Sequence, residues 1–299
     1  MPQVTFEEIE CKSALNRVNI PQMPHMKWSL NPYRGCQHAC VYCFARGNHE
    51  FLGYDTGRDF DQRIVVKTNL VPVLRTELRR SGWKRESVTI GTACDPYQQA
   101  ELKYGLTRGA LQAFRDFASP CSLITKSPAI LRDVEVLREL SGVAECTVVF
   151  SVPTLREEVW QHIEPQTAKP LRRLEAMAKL VEAGVRCGVM LAPIIPGLTD
   201  EKESMEAVVA AASKHGASFV GDNVLYLKPG TKEWFMPFLR ESYPHLLPQY
   251  ERFYRGAYAP QTYTQEVHAT VQELRERWEL TGARFERPRR KVGQLTMAM

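Results

Sequence analysis

What is missing from this chain narrows its reading first. No run of apolar residues in its 299 positions is long enough to cross a bilayer as a helix. The opening residues, MPQVTFEEIECKSALNRVN, are acidic and mixed, and lack the charged start and apolar stretch of a signal or transit peptide. We therefore expect a cytoplasmic protein without a membrane partner. In that compartment its 8 cysteines stay reduced, which favours metal or catalytic use over disulfides. Low-complexity tracts are absent, and so is any repeat beyond a strand–helix unit. Charge is not strongly of one sign: a net +5 and a pI near 8.7 admit a nucleic-acid or phosphorylated partner without requiring one. The 44% hydrophobic fraction is ordinary for a globular core, and the length allows one large α/β domain or two small ones.

The cysteines that are present concentrate in one stretch. Asn31 to Arg46 reads NPYRGCQHACVYCFAR and holds Cys36, Cys40 and Cys43 in a CxxxCxxC spacing. Three thiolates in a short loop can ligate three irons of a cubane, where an all-cysteine site uses four. An iron without a protein ligand has an open position where small molecules bind. Two plainer readings stand beside this one. The loop can be a zinc site completed by His38, although structural zinc sites favour paired knuckles and no second knuckle exists. Alternatively, the cysteines are unlinked.

With Tyr42 and Phe44 flanking the third cysteine, the motif resembles the radical S-adenosylmethionine (SAM) superfamily. The resemblance implies a 4Fe-4S cluster on Cys36, Cys40 and Cys43. It also implies SAM chelated at the open iron, and reductive cleavage to a 5'-deoxyadenosyl radical. A flavodoxin- or ferredoxin-like electron donor is the expected partner.

Along the chain, residues 1–26 read as an irregular N-terminal extension broken by Pro21 and Pro24, packed over one end of the core. Residues 26–30 form a first strand leading into the cysteine loop, and Gly35 sits where close backbone approach favours a missing side chain. Residues 47–65, charged and containing Gly53 and Gly57, read as a loop or short helix over the site. Strands and helices then alternate. Strands fall at Val88–Gly91, Cys121–Thr125, Cys146–Val152, Val185–Pro193 and Phe219–Leu227. Helices fall near 70–82, 106–117, 129–140, 170–183 and 201–215. This alternation predicts a parallel sheet with right-handed crossovers. The family resemblance makes it an α/β fold of the partial (β/α)6 TIM-like barrel type over residues 27–230. Residues 231–299 follow as a helical C-terminal extension.

In such a sheet the site lies at the carboxyl ends of the strands. Polar and turn-forming residues cluster there: Thr92 to Gln98, Thr125 to Ser127, Ser151, and Pro193 to Asp200. Singly, each can be an ordinary turn; together they favour one shared site. Within the superfamily the chain is similar to the spore photoproduct lyase-like branch, some members of which are labelled DNA repair photolyases. By that resemblance Lys126 and Ser151 contact the methionyl group of SAM, and Asp95 occupies the branch's acidic position. Tyr42 packs on the adenine, and Pro193 and Gly197 lie in the adenine-contacting loop. Arg172 or Arg173 reaches the SAM carboxylate or ribose, unless both belong to a solvated helix face. Cys94 and Tyr97 are the candidate hydrogen donor and relay. Two departures stand out. The lyase has a relay tyrosine after the third cysteine, and here that position is Phe44. Its donor cysteine aligns with Thr92, so thymine-dimer repair is not carried over. Cys11, Cys121, Cys146 and Cys187 read as packing residues.

The C-terminal third is rich in aromatics, among them Trp234, Phe235, Phe238, Tyr243, Tyr250, Phe253 and Tyr254, before a last helix near 264–280. Interleaved with Arg240, Arg252 and Arg255, these rings suit either core packing or base stacking. The tail Arg287–Lys291 is a short basic run. The expected function is hydrogen abstraction by a radical SAM enzyme from a substrate that the sequence does not name, a nucleic-acid lesion being one class. The alternative is a non-enzymatic, zinc- or cluster-stabilised nucleic-acid-binding protein.

Overall fold

The computed structural model describes residues 4–19 and 26–282; Pro21, Pro24 and the basic run 287–291 lie outside them. Among the described residues ten strands occur: β1 (Thr5–Ile9), β2 (Asn16–Arg17), β3 (Trp28–Leu30), β4 (Tyr33–Arg34), β5 (Arg63–Lys67), β6 (Val88–Ile90), β7 (Cys121–Thr125), β8 (Cys146–Ser151), β9 (Arg186–Ile194) and β10 (Val220–Val224).

The main sheet has the order β10-β9-β8-β7-β6-β3-β2. From β3 to β10 every pairing is parallel, and β2 adds antiparallel to β3 at one edge. The parallel strands are neighbours in the order in which the chain makes them, as successive strand–helix crossovers of one hand require. Among the described residues β3 and β10 do not pair, so the barrel is open. β8 shows why these segments become strands: Val148, Val149 and Phe150 are bulky β-formers, and all are buried.

Helices Leu70–Arg79, Leu106–Asp116, Val134–Val143, Pro170–Glu182 and Lys202–Lys214 supply the crossovers. Helix Pro170–Glu182 starts with proline at its first turn and buries Arg173, Leu174, Met177 and Leu180 along one face. The segment before Val134–Val143, expected as ordinary helix, is a 3-10 stretch at Pro128–Asp133. No helix among the described residues is long and apolar enough to cross a membrane.

The region 47–65 differs from the expectation of a loop or short helix. A 3-10 stretch (Phe44–Leu52) and a short helix (Arg58–Gln62) lead into β5. β5 is the centre of a second sheet, ordered β1-β5-β4, and buries Ile64, Val65 and Val66. The N-terminal segment is likewise not irregular throughout, because β1 runs parallel to β5 from Thr5↔Arg63 to Ile9↔Lys67. A helix at Glu157–Ile163, not foreseen, follows β8.

Two apolar cores result. One fills the barrel between sheet and helices. The other joins Cys40, Val41 and Tyr42 to Ile163, Phe235, Tyr250 and Tyr254, so the C-terminal aromatics pack inward beneath the cysteine loop. Phe235 stacks on Tyr250 at 5.7 Å, and Tyr250 on Tyr254 at 5.3 Å.

Candidate active site

The cysteine loop is a chain of tight turns. Cys36 N–H donates to Phe60 O at 2.9 Å, Ala39 N–H to Cys36 O at 3.3 Å, Cys43 N–H to Cys40 O at 3.3 Å, and Arg46 N–H to Cys43 O at 3.2 Å. Gly35 enters it at φ +79°, and a Cβ there would lie 2.9 Å from both Phe60 O and Arg63 O. Only glycine meets both conditions without displacing backbone.

Arg46 closes the loop and was not foreseen as a functional residue. It is fully buried between the rings of Phe60 and Trp234, 5.0 and 4.8 Å from their centroids. Its guanidinium donates to Cys40 O at 3.0 and 3.1 Å, to Gly57 O at 2.9 Å and to Asp61 at 2.9 Å. Thr231 Oγ1 donates to Cys43 O at 3.2 Å. Thr231 and Trp234 belong to the start of the aromatic C-terminal region, which thereby holds the backbone of two of the three cysteines.

The thiols are poor acids here. Burial pushes Cys36 far up, and the charges of Asp95, Cys40 and Cys43 add to it. Burial likewise raises Cys40 against the pull of Lys126, and Cys43 against that of Arg46. Cys36, Cys40 and Cys43 share one loop, and a cationic centre among them would favour their thiolate forms over the protonated ones. The donor set therefore fits an iron–sulfur cluster, each cysteine ligating its own iron. Among the described residues no group of three or more His, Cys, Asp and Glu is arranged around one metal ion. A single-ion zinc site with His38 as fourth ligand is thus not formed. His38 Nδ1 instead lies 3.3 Å from Asp95 Oδ2.

Asp95 is a hub of the scaffold. Its Oδ1 accepts from Tyr97 N–H and Thr125 Oγ1, both at 2.8 Å, and its Oδ2 from Lys126 N–H at 2.7 Å. Its own N–H points at Cys36 Sγ, 3.5 Å away. Burial pushes the carboxyl up, but His38, the Lys126 N–H and the Thr125 hydroxyl together hold it at about 2. This carboxylate ties the loop after β6 to the end of β7 and to the cysteine loop.

Lys126 and Ser151, from the ends of β7 and β8, meet each other. Lys126 Nζ donates to Ser151 Oγ at 2.8 Å, and Ser151 Oγ donates to Ala192 O at 3.0 Å. Tyr42 lies beside them, its ring centroid 5.8 Å from Lys126 Nζ. Its hydroxyl is held by Glu164. Arg172 does not come here: its side chain is 73% exposed and pairs with Glu175 at 3.2 Å. The reason is helical phase, because one residue turns the direction by about 100°, and Arg173 takes the inward position. Arg173 is fully buried and donates to Glu164 Oε2 at 2.5 Å, to Thr167 Oγ1 at 2.6 Å and to Ser151 O at 2.8 Å. Glu164 and Thr167 carried no motif signal; a charged residue just beyond an apolar helical face was the sole hint.

On the other side, Asn31 Oδ1 accepts from Ala93 N–H at 2.8 Å, and its amide donates to Thr92 Oγ1 at 3.0 Å. Cys94 Sγ lies 4.0 Å from the same Oδ1, buried, with its thiol pushed up to about 12 by burial. Tyr97 is also buried, and its hydroxyl donates to Asp133 Oδ2 at 2.8 Å. Phe44 is 45% exposed and packs at 5.6 Å against Tyr226, beyond β10.

The loop after β9 folds on itself. Ala192–Pro193 is cis. Gly197 has φ +75°, donates its N–H to Asp200 Oδ1 at 2.8 Å and abuts Leu246. Tyr250 Oη donates to Pro196 O at 2.9 Å. Pro193 is half-buried beside the Ser151 contact, whereas Gly197's N–H is already used and its Cα faces the C-terminal region.

An open parallel barrel with three cysteines after its first strand is the architecture of one enzyme class. The Radical SAM superfamily model matches residues 30–209, and the chain belongs to that superfamily of enzymes. An uncharacterized protein of Mycobacterium tuberculosis is 39% identical over 281 residues, 93% of this chain and 82% of its own length. Another from Methanocaldococcus jannaschii is 26% identical over 242 residues, 81% of this chain and 85% of its own. Among solved structures, spore photoproduct lyase complexed with dinucleoside spore photoproduct superposes with a TM-score of 0.70 at 16% identity, covering 93% of this chain and 80% of that one. At that identity the likeness is one of fold.

Proposed function

We propose that the protein binds a 4Fe-4S cluster on Cys36, Cys40 and Cys43, and binds SAM beside it. When bound, the cluster supplies the electron that cleaves SAM reductively, and the resulting 5'-deoxyadenosyl radical takes a hydrogen atom from the substrate. The observation that carries this reading is the Lys126–Ser151 pair set against the cysteine loop. Lys126 uses one N–H on Ser151 at 2.8 Å, and Glu164 stands off at 3.8 Å. Its remaining donor capacity suits a carboxylate. Burial opposes its charge, but Glu164 and the Cys40 thiol more than offset this, so the ammonium persists. Tyr42, Glu164 and the second apolar core keep water from this face.

The electron donor is a small acidic redox protein of the flavodoxin or ferredoxin kind. The substrate carries an abstractable hydrogen, and Cys94, buried and weakly bonded, is the thiol best placed to return one. Thymine-dimer repair is not part of this reading, since Phe44 and Thr92 lack the groups that the lyase uses. The test is dithionite-driven SAM cleavage by anaerobically reconstituted protein, with Cys40→Ala as control. Formation of 5'-deoxyadenosine by the wild type alone is the expected result. A fully loaded cluster that neither binds nor cleaves SAM refutes the assignment.

A further inference from the structure

Behind the cysteine loop two cations gather around one anion, with Arg173 and Glu164 buried and Lys126 half-buried. Lys126 and Arg173 straddle Ser151, one on its hydroxyl and the other on its carbonyl, both at 2.8 Å. Glu164, with no exposed surface, takes Arg173 at 2.5 Å, Tyr42 through its hydroxyl, and Lys126 at the longer distance of 3.8 Å. Among the described residues no other carboxylate pairs with either cation. The group therefore has a net charge of +1 in a low-dielectric site, where each charge is felt over several ångströms.

SAM brings two kinds of charge to such a place. Its methionyl carboxylate is attracted by the cations, while its sulfonium is repelled by them. We infer that Glu164 is the specificity-determining charge of the pocket: it halves the cationic field, so that a sulfonium is tolerated beside the lysine that receives the carboxylate. This rests on the SAM-site reading above. A carboxylate that merely braced the fold would not distinguish a sulfonium from a thioether.

S-Adenosylhomocysteine reports the effect: it differs from SAM by one methyl group on sulfur and the charge that goes with it, and comparing the SAM-to-S-adenosylhomocysteine ratio between wild type and variant cancels the methyl contacts common to both proteins. Dissociation constants for both ligands are measured by anaerobic calorimetry on cluster-loaded, full-length wild type and Glu164→Gln, with iron and sulfide content as the loading control. The glutamine removes the charge and keeps one carbonyl oxygen, which can accept from Tyr42 or from Arg173, while its amide takes the place of the other oxygen. The affinity ratio of SAM to S-adenosylhomocysteine should move at least tenfold toward the neutral ligand. An unmoved ratio overturns the inference, whether both affinities fall together or neither changes. Should Glu164→Gln fail to load its cluster, Lys126→Gln gives the converse, titrated to millimolar ligand. Removing a cation must move the ratio toward SAM, and a ratio that stays or moves the other way overturns the inference. If loaded wild type binds neither ligand, the SAM site itself is wrong, a result separate from a wild type that binds both and a variant whose ratio holds.

Discussion

Lys126, half-buried, and Lys67, buried, are both ammonium groups at the carboxyl ends of strands, and their surroundings could hardly differ more. Lys126 sits among Ser151, Glu164, Tyr42 and Arg173, where hydroxyl, carboxylate and guanidinium answer one another. Lys67, 6% exposed at the end of β5, donates to one backbone carbonyl, Asn31 O at 2.9 Å. Among the described residues no carboxylate pairs with it, and burial lowers its pKa. On the Lys126 side the polar groups are paired with one another. On the Lys67 side, Asn31 holds the loop of Thr92 and Ala93 while Cys94 and Lys67 keep unmet capacity. Buried polar groups without partners are costly. On the Cys94 side the neutral Asn31 helps meet that cost, its backbone carbonyl taking Lys67 and its Oδ1 lying 4.0 Å from Cys94 Sγ, whereas on the side where SAM is proposed to bind charged groups meet it.

The sharpest way to break this contrast is on the paired side. Arg173→Met leaves Glu164 buried without its closest counter-charge. It should lower unfolding stability of the reduced, metal-free protein by about 3–5 kcal/mol in urea titrations. Next comes the hub between the sides. Asp95→Asn should lose about 2 kcal/mol, because the Lys126 N–H loses its charged acceptor. The pH dependence has a definite sign. Asp95 is held near 2 in the fold against an ordinary 3.8, so its stabilisation is full above pH 3.8. The advantage of wild type over Asp95→Asn should therefore fade as pH falls through about 2, as read by melting curves of both proteins across that range.

Smaller effects sharpen the other side. Lys67→Met keeps the packing volume and removes an unpaired buried charge, so it should be neutral or stabilising by about 1 kcal/mol. A loss of 2 kcal/mol or more would show that Lys67 has a partner in the fold. The smallest effect is expected at Arg172→Ala, within about 0.5 kcal/mol, since its exposed pair with Glu175 contributes little. Placing 172 and 173 at opposite ends of the scale tests the helical phase directly.

The contrast also shows what was legible beforehand. Lys126 and Ser151 were found because they follow strands with clear β pattern in a recognisable order. Arg172 and Arg173 stood as alternatives because two adjacent arginines carry no phase until the helix start is fixed, here by Pro170. β5 was missed although Ile64-Val65-Val66 is β-prone, because the charged, glycine-containing run before it read as loop. β1 was missed because TFEEI is exposed at almost every position and shows no alternation; its partner β5 lies 58 positions along the chain, as the pair Thr5↔Arg63 shows. Glu164, Thr167 and Arg46 have no motif at all. Their roles come from contacts across 6 to 122 positions, from Arg46–Cys40 to Tyr42–Glu164.

The sequence by itself determined the cysteine spacing and the alternation of strands and helices, and hence a parallel sheet; that the sheet is a partial barrel was implied by the family resemblance. These follow from local properties: ligand type, side-chain period and turn chemistry act over a few residues. Only the tertiary structure decided which charges face one another. It put Arg173 rather than Arg172 in the pocket, joined Tyr42 to Glu164, and brought Thr231 and Trp234 onto the cysteine loop. Burial and electrostatic pairing depend on distance in space, and the distance along the chain does not report it.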